Sequence, residues 1–389
     1  MRRIAPFMLL LALVGPTAIT PEARAADGPA PAKLRVYVGT YTGPKSRGIY
    51  LMELDTATGA LTPKGVAAET PSPSFLAIHP SGKYLYAANE VGRFEGKPTG
   101  SVSAFAVDPK TGMLAPLNQK TSGGADPCYV AVDPTGRVVL AANYSGGSVE
   151  VLPIGPDGKL GDPSALGQHV GSSVDKSRQS GPHAHSVDLD ASGTIAVSAD
   201  LGLDKLLVDR LDPAKGTLTP VEPSIEVAPG SGPRHFTFHP DGKHGYAINE
   251  MASTVTAYDY NPARATLAPT QTISSRATGG RQGNSTAEIL VHPSGKFVYG
   301  SNRGDDNLAI YAVDPASGKL SLVGHQSTFG KTPRNFGIDP SGRFLIAANQ
   351  DSGTVVVFRI DPATGKLDRV GDPVPVPSPV CVKFLAVEG

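Results

Sequence analysis

The sequence predicts an all-β fold: a seven-bladed β-propeller of four-stranded antiparallel blades, its ring closed by the C-terminal strand joining the N-terminal blade. Three observations lead there. A phrase of Asp or His, usually Pro, a short turn ending in Gly and an alternating apolar stretch recurs six times, roughly every 50 residues, the period of a propeller blade. A second turn phrase occurs seven times. The missing seventh copy of the first phrase is divided between the two ends of the chain.

The first phrase reads HPSGKYLYAANE from His79, DPTGRVVLAANY from Asp133, DASGTIAVSAD from Asp190, HPDGKHGYAINE from His239, HPSGKFVYGSNR from His292 and DPSGRFLIAANQ from Asp339. Asp or His first, Pro second and Gly fourth are the preferences of a type I turn, in which Pro supplies φ near −65°. Alternating strands flank the turn (FLAIH before, YLYAAN after, in the first copy), so each phrase is a hairpin. The second phrase, DPKTGML from Asp108 and DPATGKL from Asp361 among its copies, joins a third strand to a fourth. RVYVGTYT from Arg35 resembles a second strand lacking its first, and PSPVCVKFLAVEG from Pro377 resembles a first strand that stops at its turn. Joining them completes one blade and removes the open sheet edges that invite aggregation.

Residues 34–389 are therefore expected to form a single propeller domain. Before it, Arg2 and Arg3 precede an apolar run and the small-residue pattern Ala23-Arg24-Ala25, the layout of a secretory signal peptide over residues 1–25. Residues 26–33 read as a flexible tether. A periplasmic or secreted protein is expected, with no membrane span in the mature chain, because the apolar run is too short. Lys and Arg number 35 and so do Asp and Glu, which gives no electrostatic case for nucleic acid. A monomer with a small-molecule partner is expected. The two cysteines, Cys128 and Cys381, fall in blades that are not neighbours and are expected to be free, buried thiols.

Function is sought where the copies differ. Aligning first strands on their turns gives one position per blade: Ser74, Cys128, His185, Arg234, Ala287, Arg334 and Val380. Second-strand ends give Tyr41, Glu90, Tyr144, Leu201, Glu250, Arg303 and Gln350, and hairpin geometry puts both rings at one end of the central channel. The turn histidines His79, His239 and His292 alternate with Asp and are explained by the turn. His185, Arg234 and Glu250 are not, and such clusters of charge in a cleft mark sites. A bare Arg234–Glu250 ion pair that fixes blade packing is the plain alternative. His183, His185 and His235 suggest zinc, but no Cys or carboxylate completes a ligand pattern, so no metal and no cofactor is expected. The longest insertions, Glu90 to Gly100, Gly167 to Pro182 and Ser274 to Thr286, border the same rim. The last holds Arg276 and Arg281 on Gly-rich backbone, a candidate anion cradle.

The blocks GPHAHSVDLD, GPRHFTFHPDGKHGYAINE and TAEILVHPSGKFVYGSNRG resemble those of the seven-bladed propeller lactonase family, which includes 6-phosphogluconolactonases and is similar to carboxy-cis,cis-muconate cyclases. The resemblance runs from about Leu34 to the C-terminus. It implies a carboxylic ester hydrolase whose catalytic residues match His185, Arg234, Glu250 and Arg303. Glu250 or His185 is then the candidate base, and Arg234 and Arg303 are the candidate charges for the oxyanion. Arg334, Glu90, Tyr144 and Arg281 are expected to contact the substrate, a sugar or organic-acid lactone. The export signal sets the chain apart from cytoplasmic 6-phosphogluconate chemistry. Two rival readings are a muconate-type cycloisomerase and a non-catalytic propeller that binds a ligand or protein, since one fold hosts many functions.

Overall fold

The computed structural model describes residues 32–387, so the leader and nearly all of the tether lie outside the described residues. Within them all regular structure is strand, and no helix is long and apolar enough to cross a membrane. Blade one contains β1 (Lys33–Thr40), β2 (Gly48–Asp55) and β3 (Leu61–Glu69). Blade two contains β4 (Pro73–Ile78), β5 (Tyr84–Asn89), β6 (Ser101–Val107) and β7 (Leu114–Thr121). Blade three contains β8 (Pro127–Val132), β9 (Val138–Asn143), β10 (Ser148–Pro153) and the short β11 (Ala165–Gln168). Blade four contains β12 (Ala184–Leu189), β13 (Ile195–Asp200), β14 (Lys205–Asp212) and β15 (Thr217–Glu226). Blade five contains β16 (Pro233–Phe238), β17 (His244–Asn249), β18 (Thr254–Asn261) and β19 (Thr266–Ser274). Blade six contains β20 (Ser285–Val291), β21 (Phe297–Arg303), β22 (Asn307–Val313) and β23 (Leu320–Ser327). Blade seven contains β24 (Pro333–Ile338), β25 (Phe344–Asn349), β26 (Thr354–Ile360) and β27 (Leu367–Pro375).

The last strand, β28 (Pro379–Ala386), returns to blade one and pairs antiparallel with β1, from Leu34 opposite Ala386 to Gly39 opposite Cys381. The sheet order β28-β1-β2-β3 is the split blade expected from the two chain ends. The innermost strands β4, β8, β12, β16, β20, β24 and β28 each touch the next, and β28 touches β4, so they wall the central channel.

The alternation of the second strands explains how blades adhere. Tyr86 in YLYAAN is fully buried and its hydroxyl donates to the carbonyl of Gly158, in the second turn of the next blade, at 3.0 Å. Tyr37, Tyr246 and Tyr299 do the same to Gly112, Gly318 and Gly365, each at 2.8 Å. A buried aromatic body gives area and its polar tip gives register. These glycines adopt positive φ, between 63° and 79°, and a side chain there would collide with the neighbouring blade: with the ring of Tyr84, His244 or Phe297 at Gly158, Gly318 and Gly365, and with the Arg35 side chain at Gly112.

Cys128 on β8 and Cys381 on β28 are both buried and free, separated by blade two. Burial raises both thiols above their ordinary value, which suppresses the reactive thiolate. A thiol reagent is therefore expected to titrate none of the native protein and two groups after denaturation, with a melting temperature unchanged by reductant.

Candidate functional site

A bulge opens the innermost strands. Pairing of β4 with β5 steps from Pro73 opposite Asn89 to Phe75 opposite Ala88, passing over Ser74. The same step passes over Cys128 in β8, His185 in β12, Arg234 in β16, Arg334 in β24 and Val380 in β28. In β20 it spans Ala287 and Glu288. A bulge frees one residue from the ladder and re-aims its side chain. The residues so released are the first ring obtained by aligning the repeats.

A cavity of about 380 Å³ fills this end of the channel. Of the sequence-derived candidates, Glu90, Tyr144, His185, Glu250, Arg303 and Arg334 line it. Below, the space narrows to about 10 Å³ and Arg234 joins the wall with His235 and Asn335. Phe75 stacks on Tyr129 with ring centroids 4.0 Å apart, and His235, beside Phe75 in this narrow space, meets both edge-on. Arg281 is not brought to the cavity: its guanidinium is held by Asp306 and the Gly304 carbonyl, each at 3.2 Å, and remains exposed. Arg276 bonds the Arg281 carbonyl and lies 3.7 Å from Asp305. Two acidic neighbours thus engage the arginines expected to form an anion cradle.

Glu250 is the hub. Its Oε2 lies 3.0 Å from Arg234 Nε and 2.8 Å from Arg303 Nη2, and its Oε1 accepts from Arg178 Nη2 at 2.7 Å. Burial opposes its ionisation, but Arg303, Arg234 and Arg178 override it and hold the carboxyl at about 2. The Arg234–Glu250 pair weighed from the sequence is present, as part of a larger network. Arg178 was not nominated from the sequence. It comes from the insertion between Gly167 and Pro182, anchored where Gln179 Nε2 donates to the Leu201 carbonyl at 2.9 Å. The insertion was visible as a departure from the repeat, but nothing local told which of its residues turns inward.

Arg234 is pinned from below as well. Its Nη1 donates to the Ala287 carbonyl at 2.8 Å and to His235 Nε2 at 3.1 Å. An arginine cannot accept, so His235 Nε2 must carry the lone pair and Nδ1 the proton, which goes to Glu288 Oε1 at 2.8 Å. Asn335 braces the other Glu288 oxygen. Burial, opposed by Glu288 and aided by Arg234, lowers His235 to about 4. Both of its nitrogens are engaged and His183 Nδ1 faces the Tyr144 carbonyl at 3.0 Å, so these rings do not converge on a zinc ion.

His185 and Arg334 are less committed. The Cys128 thiol donates toward the His185 and Ala184 carbonyls, at 3.4 and 3.7 Å, and its sulfur can accept from His185 Nδ1 at 3.6 Å. That tautomer leaves the lone pair on Nε2, which has no protein partner among the described residues. Burial first, then Arg234, His235 and Arg334, hold this imidazole well below 6.5 and neutral. Arg334 lies over the Tyr41 ring at 5.3 Å and donates no hydrogen bond among the described residues. Tyr41 in turn donates to Glu90 at 2.9 Å. Four guanidiniums, of Arg178, Arg234, Arg303 and Arg334, thus face two carboxylates, of Glu90 and Glu250.

The closed seven-bladed ring is that of the propeller lactonases, and the chain belongs to that family: the model described as "Lactonase, 7-bladed beta-propeller" matches residues 35–384. The 6-phosphogluconolactonase of Bacillus subtilis is 38% identical over 349 residues, covering 90% of this chain and 97% of that protein. The 6-phosphogluconolactonase of Formosa agariphila is 35% identical over 311 residues, or 78% of this chain and 86% of that one. Among solved structures, the periplasmic gluconolactonase of Pseudomonas aeruginosa superposes with a TM-score of 0.85 at 35% identity, covering 92% of this chain and all of that one.

Two outcomes test this geometry. In Glu288→Gln the amide oxygen still accepts from the Ile289 N–H and from His235 Nδ1 while Arg234 still donates to Nε2, so nitrogen NMR should find neutral His235 protonated at Nδ1 in parent and variant alike; a proton on Nε2 contradicts the chain of bonds. The second concerns pH. The unfolded chain protonates its imidazoles near 6.5, while native His185 and His235 remain neutral. Their stability contribution is therefore complete above 6.5 and is lost as pH falls toward 4, at up to about 1.4 kcal/mol per pH unit for each group. Because buried Glu150 and Asp188, raised to about 8 and about 7, titrate in the same range with the opposite sign, the histidine contribution is read as a difference: the urea-midpoint gap between the parent and His235→Gln should be constant from pH 7 to 8 and shift against the parent below 6.5.

Proposed function

We propose that this chain is a lactonase, hydrolysing a sugar lactone or a related organic-acid lactone at the cationic mouth of the channel. The observation that carries the reading is a neutral imidazole, His185, with its Nε2 free beside a cluster of guanidiniums. Of the two candidate bases, Glu250 is the poorer, because three arginines hold it ionised down to about 2. Its role is to position those arginines.

In this scheme His185 Nε2 takes a proton from the attacking water as oxygen bonds to the lactone carbonyl carbon. The carbonyl oxygen becomes an oxyanion facing Arg234 and Arg303, fixed charges that need no reorganisation. The ring carbon–oxygen bond then breaks, the imidazolium returns its proton to the leaving alkoxide, and a hydroxy acid results. Its new carboxylate suits the excess of positive charge, and Arg334, which stacks on Tyr41 but donates no hydrogen bond among the described residues, is the group to receive it. The leader pattern at residues 1–25 and the periplasmic Pseudomonas relative support export, with an unphosphorylated lactone as substrate.

A pH-stat screen of phosphorylated and unphosphorylated aldonolactones, with spontaneous hydrolysis subtracted, identifies the substrate. Failure to turn over any lactone would leave a binding protein. With a substrate in hand, His185→Asn should lower kcat by roughly 10² to 10⁴ and Arg234→Ala by roughly 10² to 10³. Arg334→Ala should act mainly on KM. Full kcat in a folded His185→Asn variant removes the base assignment.

A further inference from the structure

The six hairpin turns at the mouth opposite the arginines are close copies of one another, and one of them departs twice. The third turn residue is Ser81, Thr135, Ser192, Ser294 or Ser341 in five copies and Asp241 in blade five. The residue that opens the second strand is Tyr84, Val138, Ile195, Phe297 or Phe344 in the same five and His244 in blade five. Both changes install metal-ligating side chains on a turn that already begins with His239. No other turn carries either change.

The geometry draws the three together. His239 Nδ1 lies 3.0 Å from Asp241 Oδ1, and His244 Nδ1 lies 2.7 Å from Asp241 Oδ2. Among the described residues these three form the group whose donor atoms all fall within 4.8 Å of one another. Ligands about 2.0–2.1 Å from a tetrahedral ion sit roughly 3.3 Å apart, so small side-chain rotations suffice to receive one.

Hydrogen bonding on the far side of His239 makes the case specific. Its Nε2 donates to the Gly295 carbonyl at 2.8 Å, as His79 Nε2 does to Gly136 at 3.0 Å and His292 Nε2 to Gly342 at 2.8 Å. All three rings therefore present the Nδ1 lone pair to the turn, where the backbone N–H two residues on reaches it at 3.1 to 3.2 Å. In the two sibling turns that lone pair also meets a serine hydroxyl at 2.8 Å, which can donate. In blade five it meets a carboxylate, which cannot. Two acceptors 3.0 Å apart are stabilised by a positive charge between them. An imidazole that donates its second N–H to a backbone carbonyl is also the usual support of a metal-ligating histidine. His244 is equally prepared: its ring packs over Gly318, as Phe297 packs over Gly365, and its Nε2 faces Asp259 at 3.7 Å.

We propose that His239 Nδ1, Asp241 and His244 Nδ1 bind a divalent transition-metal ion, zinc being the natural occupant of such a nitrogen and oxygen set, with a fourth position open to solvent. The site lies across the ring from the lactonase cavity and is independent of it. It clamps the turn of blade five to the strand that follows.

The repeat supplies its own control. Asp241→Ser with His244→Phe turns residues 239–244 into the same HPSGKF that the chain already uses from His292 to Phe297. This double variant is expected to fold with an unchanged circular dichroism spectrum. Tag-free protein stripped with chelator is titrated with zinc sulfate by calorimetry, and with cobalt(II) by visible absorption. The parent chain should take up one ion that the double variant does not, with tetrahedral cobalt bands and a raised melting temperature in the parent alone. No saturable binding to the parent overturns the proposal, as does equal binding by the folded double variant.

Discussion

The bulge at the start of each innermost strand is the constraint on which the site depends. An unbroken strand sends alternate side chains to opposite faces, so one set would face the channel and the next would pack between blades. Inserting one unpaired residue lets Ser74, Cys128, His185, Arg234, Arg334 and Val380 turn to the cavity while Phe75, His235 and Asn335 still face the channel beneath them. Two consecutive residues of one strand thereby serve the same channel at two depths. Arg234 and His235 are the clearest instance, the first reaching Glu250 above and the second Glu288 below.

That stacking explains how so much charge is held at the core of an apolar ring. Taking a guanidinium and a carboxylate out of water costs several kcal/mol for each ion, and the cost is offset only when every donor and acceptor finds a partner. Arg234, 2% exposed, commits its Nε and Nη1 to Glu250, the Ala287 carbonyl and His235, which leaves Nη2 for the pocket. His235 is kept neutral first by burial and then because protonating Nε2 would set it against that guanidinium. Among the described residues the network leaves the Arg334 guanidinium and the Nε2 of His185 without a hydrogen-bond partner, and these two groups are open to a ligand. Rigidity below and vacancy of hydrogen bonding above are two sides of one arrangement.

The two mouths of the ring use the repeat differently. At one, every copy differs and the differences converge on a single cavity. At the other, the turns are nearly uniform, and blade five stands out because Asp241 and His244 replace a hydroxyl and an apolar residue that the remaining copies retain. A propeller gives each blade the same backbone, so a departure in one copy is legible against its siblings without reference to any other protein.

Blade number, ring closure through β28 and both rings of rim residues were determined by the sequence alone, because a repeated hairpin transfers the geometry of one copy to all. Period-2 alternation fixes which residues share a face, and the split seventh copy fixes how the ends meet. The sequence could not decide which rim groups are mutually satisfied. Arg281 has the residue type and the loop of a ligand contact, yet Asp306 holds it away. Arg178, from an insertion with no repeat to align it, reaches Glu250 across some 70 residues of chain. His235 belongs to the site through Arg234 and Glu288, on neighbouring blades, rather than through zinc. Partner choice depends on distances between side chains far apart in sequence, and only the closed ring sets those distances.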